Sequence, residues 1–295
     1  ARKIAKKSGM HITVLKEPEL KKLGMNLLLA VGKASTQSPR LIILEYHGDK
    51  GSKDKFLLVG KGICFDTGGL DIKPRDSMLE MRMDMAGAAT VLGIMKSASE
   101  LGLEKNLAGI IATTENLVDA NSYRPKDIIR SYSGKTVENM DTDAEGRLVL
   151  ADALNYGAKK FSPKLIVEFS TLTGSVVGTF GNHLAGMFGT ENASEYKKKM
   201  FEAGMETYER VWELPLYEEY LDEVTGERAD FRSCGKSRYN GAIFGGAFLS
   251  KFVEDKPFIH LDVAGTAMID EAKDYMPKDG TGFGVRLVVE FLKKL

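Results

Sequence analysis

The chain has 295 residues, 43% of them hydrophobic and 28% charged, the balance of a folded protein and not of a disordered, collagenous or coiled-coil one. Forty-one Lys and Arg oppose forty-one Asp and Glu, so no overall basic field exists to hold nucleic acid or an anionic membrane. Two cysteines, Cys64 and Cys234, are too few for a disulfide framework or a cysteine-built zinc site, and no run reaches the ~18 apolar residues of a membrane span.

The N-terminal run Ala1-Arg2-Lys3-Ile4-Ala5-Lys6-Lys7 is basic with no apolar core behind it, so it is not a secretory signal. It lacks an initiator Met and reads as the start of a trimmed chain or fragment. The first strands are expected at Ile12–Leu15, Leu41–Tyr46 and Phe56–Val59, short runs rich in β-branched residues. A helical pattern follows over Ala86–Leu101, then a strand at Ala108–Thr113, a helix over Leu148–Lys160 and a strand at Leu165–Ser170. Helices over Ser194–Tyr208 and Ala242–Val253, a strand at Phe258–Leu261 and a helix over Val285–Lys294 complete the chain. Ser162-Pro163 and Lys256-Pro257 stop helices just before strands, as the steric restriction before proline requires. Strands that are nearly continuous in apolar character are covered on both faces. The fold class expected is therefore α/β, a mixed, largely parallel central sheet between helices in three αβα layers. No repeat, low-complexity tract or linker divides it, so residues 1–295 form one domain. Free thiols and the missing signal point to a reducing compartment, the cytoplasm.

Glycine is over-represented, with 31 in 295 residues against an average near 7%. The glycines gather at predicted strand ends: Gly60, Gly62, Gly68 and Gly69; then Gly174, Gly178 and Gly181; then Gly241, Gly245 and Gly246. Ligands of open α/β sheets bind outside the carboxyl ends of strands, where the backbone turns tightly. Two glycine-flanked segments there carry most of the chemistry. In the first, a strand is expected to end in a loop holding Lys61, Asp66 and Lys73, with Asp84 at the start of the next helix. In the second, Asp143, Glu145 and Arg147 alternate, and an extended backbone would point all three to one side. Carboxylates converging in one cleft repel unless protonated or bound to cations. Four of them match two divalent ions in charge, and oxygen ligands suit Mn²⁺, Mg²⁺ or Zn²⁺. His11, His47, His183 and His260 share no motif with these acids and read as structural.

The run Gly-Lys-Gly-x-x-Phe-Asp-x-Gly-Gly from Gly60, the Lys73-Pro74 after it, and Met81-x-x-Asp84-Met85-x-Gly87-Ala88-Ala89 together resemble the leucyl (cytosol) aminopeptidase family of dinuclear metallo-exopeptidases. Asp141-Thr142-Asp143-Ala144-Glu145-Gly146-Arg147-Leu148 strengthens the likeness, which continues through Thr171-Leu172-Thr173-Gly174 to His260-Leu261-Asp262-Val263-Ala264-Gly265. The resemblance implies a catalytic domain, with the family's smaller N-terminal domain absent from this chain. It implies that Asp66 and Glu145 bridge two ions, Mn²⁺ or Zn²⁺, that Lys61 and Asp84 complete the tighter site, and that Asp143 completes the other. Lys61 can ligate only as a neutral amine, which an adjacent dication and desolvation would favour. Water made acidic between two cations would attack the scissile carbonyl. Lys73 would polarise that carbonyl, and Arg147 would hold a bicarbonate as general base. By the same resemblance Met81, Thr171, Leu172, Gly174, Ala264 and Ala267 bind the substrate's first residue, an apolar side chain of the Leu type. Ala267 stands where the family often has Met. Peptides with a free N-terminus would be the substrates and a homohexamer the assembly.

Other motifs fail. Ser133-Gly134-Lys135-Thr136 lacks the first glycine of a phosphate-binding loop, since position 129 is Ile129. Gly280-Thr281-Gly282-Phe283-Gly284 follows no clear strand, and no Gly-x-Ser-x-Gly elbow exists. The alternative to an enzyme is a non-catalytic, DNA-binding or regulatory assembly on the same fold, which the zero net charge disfavours and a full set of candidate ligands does not suggest.

Overall fold

The computed structural model describes residues 1–237 and 239–295, and among them eight strands form one sheet. They are β1 (His11–Leu15), β2 (Arg40–His47), β3 (Lys55–Asp66), β4 (Asn106–Asn116), β5 (Leu165–Ser170), β6 (Ala185–Gly189), β7 (Val211–Glu213) and β8 (Phe258–Asp262). Across the sheet the order is β1-β2-β4-β3-β5-β8-β6-β7. The centre is parallel, β4 to β3, β3 to β5 and β5 to β8. Antiparallel pairs, β1 with β2, β2 with β4 and β8 with β6, flank that centre.

Five long helices cover the sheet: α1 (Ala86–Glu100), α2 (Glu145–Phe161), α3 (Ser194–Thr207), α4 (Gly241–Ser250) and α5 (Val285–Lys293). The alternation of β3 sorts its side chains between two cores. Leu57 and Val59 join Leu148 and Leu154 of α2 and Phe248 of α4 on one face. Phe56 and Leu58 join Val91 and Ile94 of α1, Met200 of α3 and Leu287 of α5 on the other. Three αβα layers result, as expected. Within the first layer Asp152 of α2 is fully buried and accepts backbone N–H groups from Leu27 (2.9 Å), Leu28 (3.1 Å) and Tyr132 (2.8 Å). That satisfies a buried carboxylate without a cation and fixes the short helix Asn26–Val31 to α2.

All of the expected strands and helices are present, with shifted ends. The main correction concerns β3, which does not stop at Val59 but runs to Asp66 and pairs with β4 through Lys61, Gly62 and Ile63. Gly60 and Gly62 are therefore strand residues, and Lys61 and Asp66 lie on the strand, not in a loop. Close approach explains the glycines better than turning does. A Cβ on Gly60 would stand 2.5 Å from the carbonyl oxygen of Gly87, and one on Gly87 would stand 2.0 Å from that of Phe169. The first turn of α1 thus lies backbone to backbone on β3 and β5. Strands β6 and β7 escape the sequence reading because β6, Ala-Gly-Met-Phe-Gly, has two glycines and no β-branched residue, and β7 is only three residues long.

Gly87→Ala forces α1 away from β5. It is expected to cost about 3 kcal/mol in denaturant unfolding, the upper range for overpacking a tight interior. An unchanged midpoint would show that the backbone contact does not position α1.

Candidate metal centre

The carboxyl ends of β3 and β5 and the first turns of α1 and α2 converge on a cluster of charge. Lys61 points from β3 toward α2, where Gly146 leaves room for it: a Cβ there would come within 2.6 Å of Lys61 Cε. Lys61 Nζ donates to Asp84 Oδ1 at 2.7 Å and to the Thr171 carbonyl at 3.2 Å, and it lies 2.7 Å from Glu145 Oε1. Asp84 closes the turn Met81–Met83 just before α1. Its Oδ1 also accepts the Thr171 hydroxyl at 2.7 Å. Its Oδ2 is buried with no hydrogen-bond partner.

Asp66, at the end of β3, splits its oxygens between two tasks. Oδ1 accepts Gly68 N at 2.8 Å and Asn116 Nδ2 at 2.7 Å, while Oδ2 lies 3.0 Å from Lys73 Nζ. Lys73 also pairs with Asp143. Asp143 sits in the 3₁₀ turn Thr142–Ala144, with its N–H held by Asp141 Oδ1 at 2.8 Å, and Glu145 opens α2. The expectation of an extended Asp143-x-Glu145-x-Arg147 is corrected here. Asp141 caps the 3₁₀ turn that carries Asp143, and that turn runs directly into the helical backbone of Glu145 and Arg147.

Arg147 is buried against Phe244, its guanidinium carbon 5.6 Å from the ring centre, and Nη1 donates to Ser233 O at 2.9 Å. Its Nε has no partner, and among the described residues no carboxylate pairs with it.

The six expected pocket residues divide. Thr171 touches Lys61 and Asp84, and Met81 begins the turn that Asp84 ends. Leu172 N (3.1 Å) and Ala264 N (3.2 Å) both donate to Asp262 Oδ1, which brings those two segments side by side. Gly174 starts a short helix with open space where a Cβ would be. Ala267 instead lines an apolar cavity of about 350 Å³ with Met83, Met85, Met268 and Phe283. Asn116, Tyr123, Thr142 and Asp262 are the site neighbours that sequence spacing does not single out. Asn116 merely ends an apolar strand, and Thr142 is an uncharged residue between two acids.

Burial pushes the Asp84 carboxyl up to about 6 against the pull of Lys61, with Asp66 adding repulsion. Burial likewise takes Asp143 to about 6 against the pull of Lys73. Glu145 is raised well above the ordinary carboxylate range by burial and by Asp66. Burial disfavours the Lys61 and Lys73 ammonium groups too, yet the carboxylates override it and hold both above the usual lysine range. These acids by themselves hold Lys61 as an ammonium; the neutral amine is the form expected beside a dication. Two ammonium groups balance half of the charge of Asp66, Asp84, Asp143 and Glu145. Asp66, Asp143 and Glu145 each offer an oxygen within 4.8 Å of the others. Those oxygens, the surplus charge and the partnerless Asp84 Oδ2 fit hard divalent cations.

The cytosol aminopeptidase family, catalytic domain, is the family whose model matches this chain, over residues 1–289. The chain is 48% identical over 287 residues to the probable cytosol aminopeptidase of Cenarchaeum symbiosum, covering 96% of this chain and 58% of that protein. It is 44% identical over 294 residues to that of Syntrophotalea carbinolica, covering 100% and 58%. Against that of Brucella melitensis it is 45% identical over 282 residues, covering 96% and 58%. The chain therefore spans less than two thirds of the length of these relatives.

Gly146→Ala meets the flexible end of Lys61, so the fold is expected to survive while the Lys61 nitrogen, which would ligate a cation in its neutral form, is pushed from its place beside Asp84 and Glu145. Mn²⁺ affinity in titration calorimetry should fall at least about tenfold, the usual result of disturbing the setting of a metal site. Undiminished affinity would show that Lys61 does not shape the cation pocket.

Proposed function

The chain belongs to the cytosol aminopeptidase family, and from that membership and the site's chemistry we propose that it is the catalytic domain of a metal-dependent aminopeptidase, releasing N-terminal residues of the Leu type from peptides. The observation that carries the reading is the cluster of Lys61, Lys73 and four acids, with Asp84 Oδ2 buried and partnerless. Asp66, Asp84, Asp143 and Glu145, with Lys61 as a neutral amine, are the residues that would hold two cations, Mn²⁺ or Zn²⁺. Bound there, dications would supply Lewis acidity toward a water molecule and the scissile carbonyl.

The remaining chemistry belongs to the protein. Lys73 Nζ lies beside Asp66 and Asp143 at the less buried side of the cluster. Held protonated by those acids, it would donate to the developing oxyanion of the peptide carbonyl, a role in which a preset charge outperforms water. Among the described residues no acid pairs with the Arg147 guanidinium, which would hold bicarbonate, and that anion would supply a general base. Thr171, Leu172 and Ala264 form a wall fastened to the cluster through Thr171 and Asp262. An unprotonated substrate α-amine would also be a ligand for a bound dication, which an acylated N-terminus cannot be, and this would account for exopeptidase selectivity. Cytoplasmic location and a homohexamer complete the proposal; no helix among the described residues is long and apolar enough to cross a membrane.

Leucine p-nitroanilide should be cleaved after chelation only once Mn²⁺ or Zn²⁺ is restored, and its N-acetyl analogue should not be cleaved at all. Equal cleavage of both would overturn the exopeptidase reading. Lys73→Ala should retain both cations while kcat falls about 10²–10³-fold, the scale of losing an oxyanion donor. Loss of the cations instead would make Lys73 a structural charge.

A further inference from the structure

The end of β4 places one neutral side chain beneath this cluster that the proposed reaction does not use. Asn116 is fully buried. Its Nδ2 donates to Asp66 Oδ1 at 2.7 Å and to the Thr142 carbonyl at 3.0 Å. Both neighbours are acceptors, so the amide must present its NH₂ to them. Its Oδ1 is left buried with no partner, a cost that an apolar residue in the same place would not carry.

The two acceptors belong to opposite halves of the site. Asp66 ends β3, and Thr142 opens the turn that carries Asp143 and leads to Glu145. With Gly68 N as its second donor, Asp66 Oδ1 is fully engaged and Oδ2 is the oxygen left for the cluster. The Thr142 carbonyl has a second donor as well, the Tyr123 hydroxyl at 2.7 Å. Burial and the negative charge of Glu145 and Asp66 keep that phenol protonated. The turn has further support from Asp71, whose Oδ2 accepts Thr142 N and whose N–H donates to Thr142 Oγ1, each at 2.8 Å. Removing Asn116 therefore leaves the turn in place and frees the Asp66 carboxylate.

We propose that Asn116 is a positioning residue for cation binding: it selects the oxygen that Asp66 presents and holds Asp66 in register with the Asp143–Glu145 turn. Lys73 bridges Asp66 and Asp143 by charge from the more open side; Asn116 bridges the same halves from below without adding charge. The inference rests on the reading of Asp66, Asp143 and Glu145 as cation ligands.

The test is calorimetric titration of the whole chain with Mn²⁺, together with the visible absorption of the Co²⁺-loaded protein. Asn116→Ala is expected to bind Mn²⁺ about 10–100-fold more weakly, the usual effect of removing a hydrogen bond to a metal ligand. Its Co²⁺ bands should shift as Asp66 changes its presented oxygen, a signature that loss of stability alone would not produce. Tyr123→Phe removes only the other donor to Thr142 and should stay near the unmodified affinity. If Asn116→Ala does not fold, Asn116→Ser, whose hydroxyl is too short to reach Asp66, decides by the same titration. Undiminished affinity and an unshifted spectrum in the folded variant overturn the positioning role alone. Failure of the unmodified chain to bind Mn²⁺ overturns the ligand reading, and this inference with it.

Discussion

Repulsion among Asp66, Asp84, Asp143 and Glu145 is the constraint around which this end of the sheet is organised. Burial removes the water that would screen these acids, so cations or protons must do so. Lys61 and Lys73 supply part of the charge, and several backbone choices exist to admit them. Gly146 opens a slot in α2 for the Lys61 side chain. The contact of Gly60 with Gly87 lets α1 descend onto β3, which carries Asp84 to within hydrogen-bonding reach of Lys61. Lys61, Asp66 and Glu145 thus sit on regular elements whose positions the core dictates, with Asp84 and Asp143 next to them. A site framed by a central parallel strand and two helix starts is more sharply defined than one on free loops.

The cluster is also polarised from inside to outside. Lys61 and Asp84 expose only 4% and 3% of their side chains, whereas Asp143 exposes 34%. The open side of the cluster is formed by Asp143 and Lys73. The wall beside it is joined to the same centre, because Asp262 gathers Leu172, Thr173 and Ala264 while the adjoining Thr171 reaches Lys61 and Asp84. Thr171, Leu172 and Thr173 are consecutive, so the wall fastened by Asp262 is tied through Thr171 to the placement of Asp84.

Layering and element order were legible in the chain, because apolar runs and helical periods report burial on two faces. That these acids and lysines gather in one place was legible too, because they stand on glycine-flanked segments at strand and helix ends. What escaped was geometry produced by tertiary contact. Gly-Lys-Gly reads locally as a loop, yet β4 and β5 on either side of β3 hold the backbone extended into it. Asp143 and Glu145 suggest alternation, yet the Asp141 cap winds them into a helix start. Asn116 and Asp262 are ordinary polar residues at strand ends, and only the apposition of separate segments gives them partners.

Helix α2 is tethered at both functional and structural points. Its first turn holds Glu145 and Arg147, and two turns further on Asp152 takes its donors from Leu27, Leu28 and Tyr132. The segment that precedes β2 is thus no detachable ornament of the sheet. Shortening the chain past Val31 would strip two amides from a carboxylate sealed in the core, and the resulting disturbance would arise on the same rigid rod that carries Glu145. The first thirty or so residues, remote from the cluster in sequence, set the boundary of the smallest chain in which that rod keeps its seat.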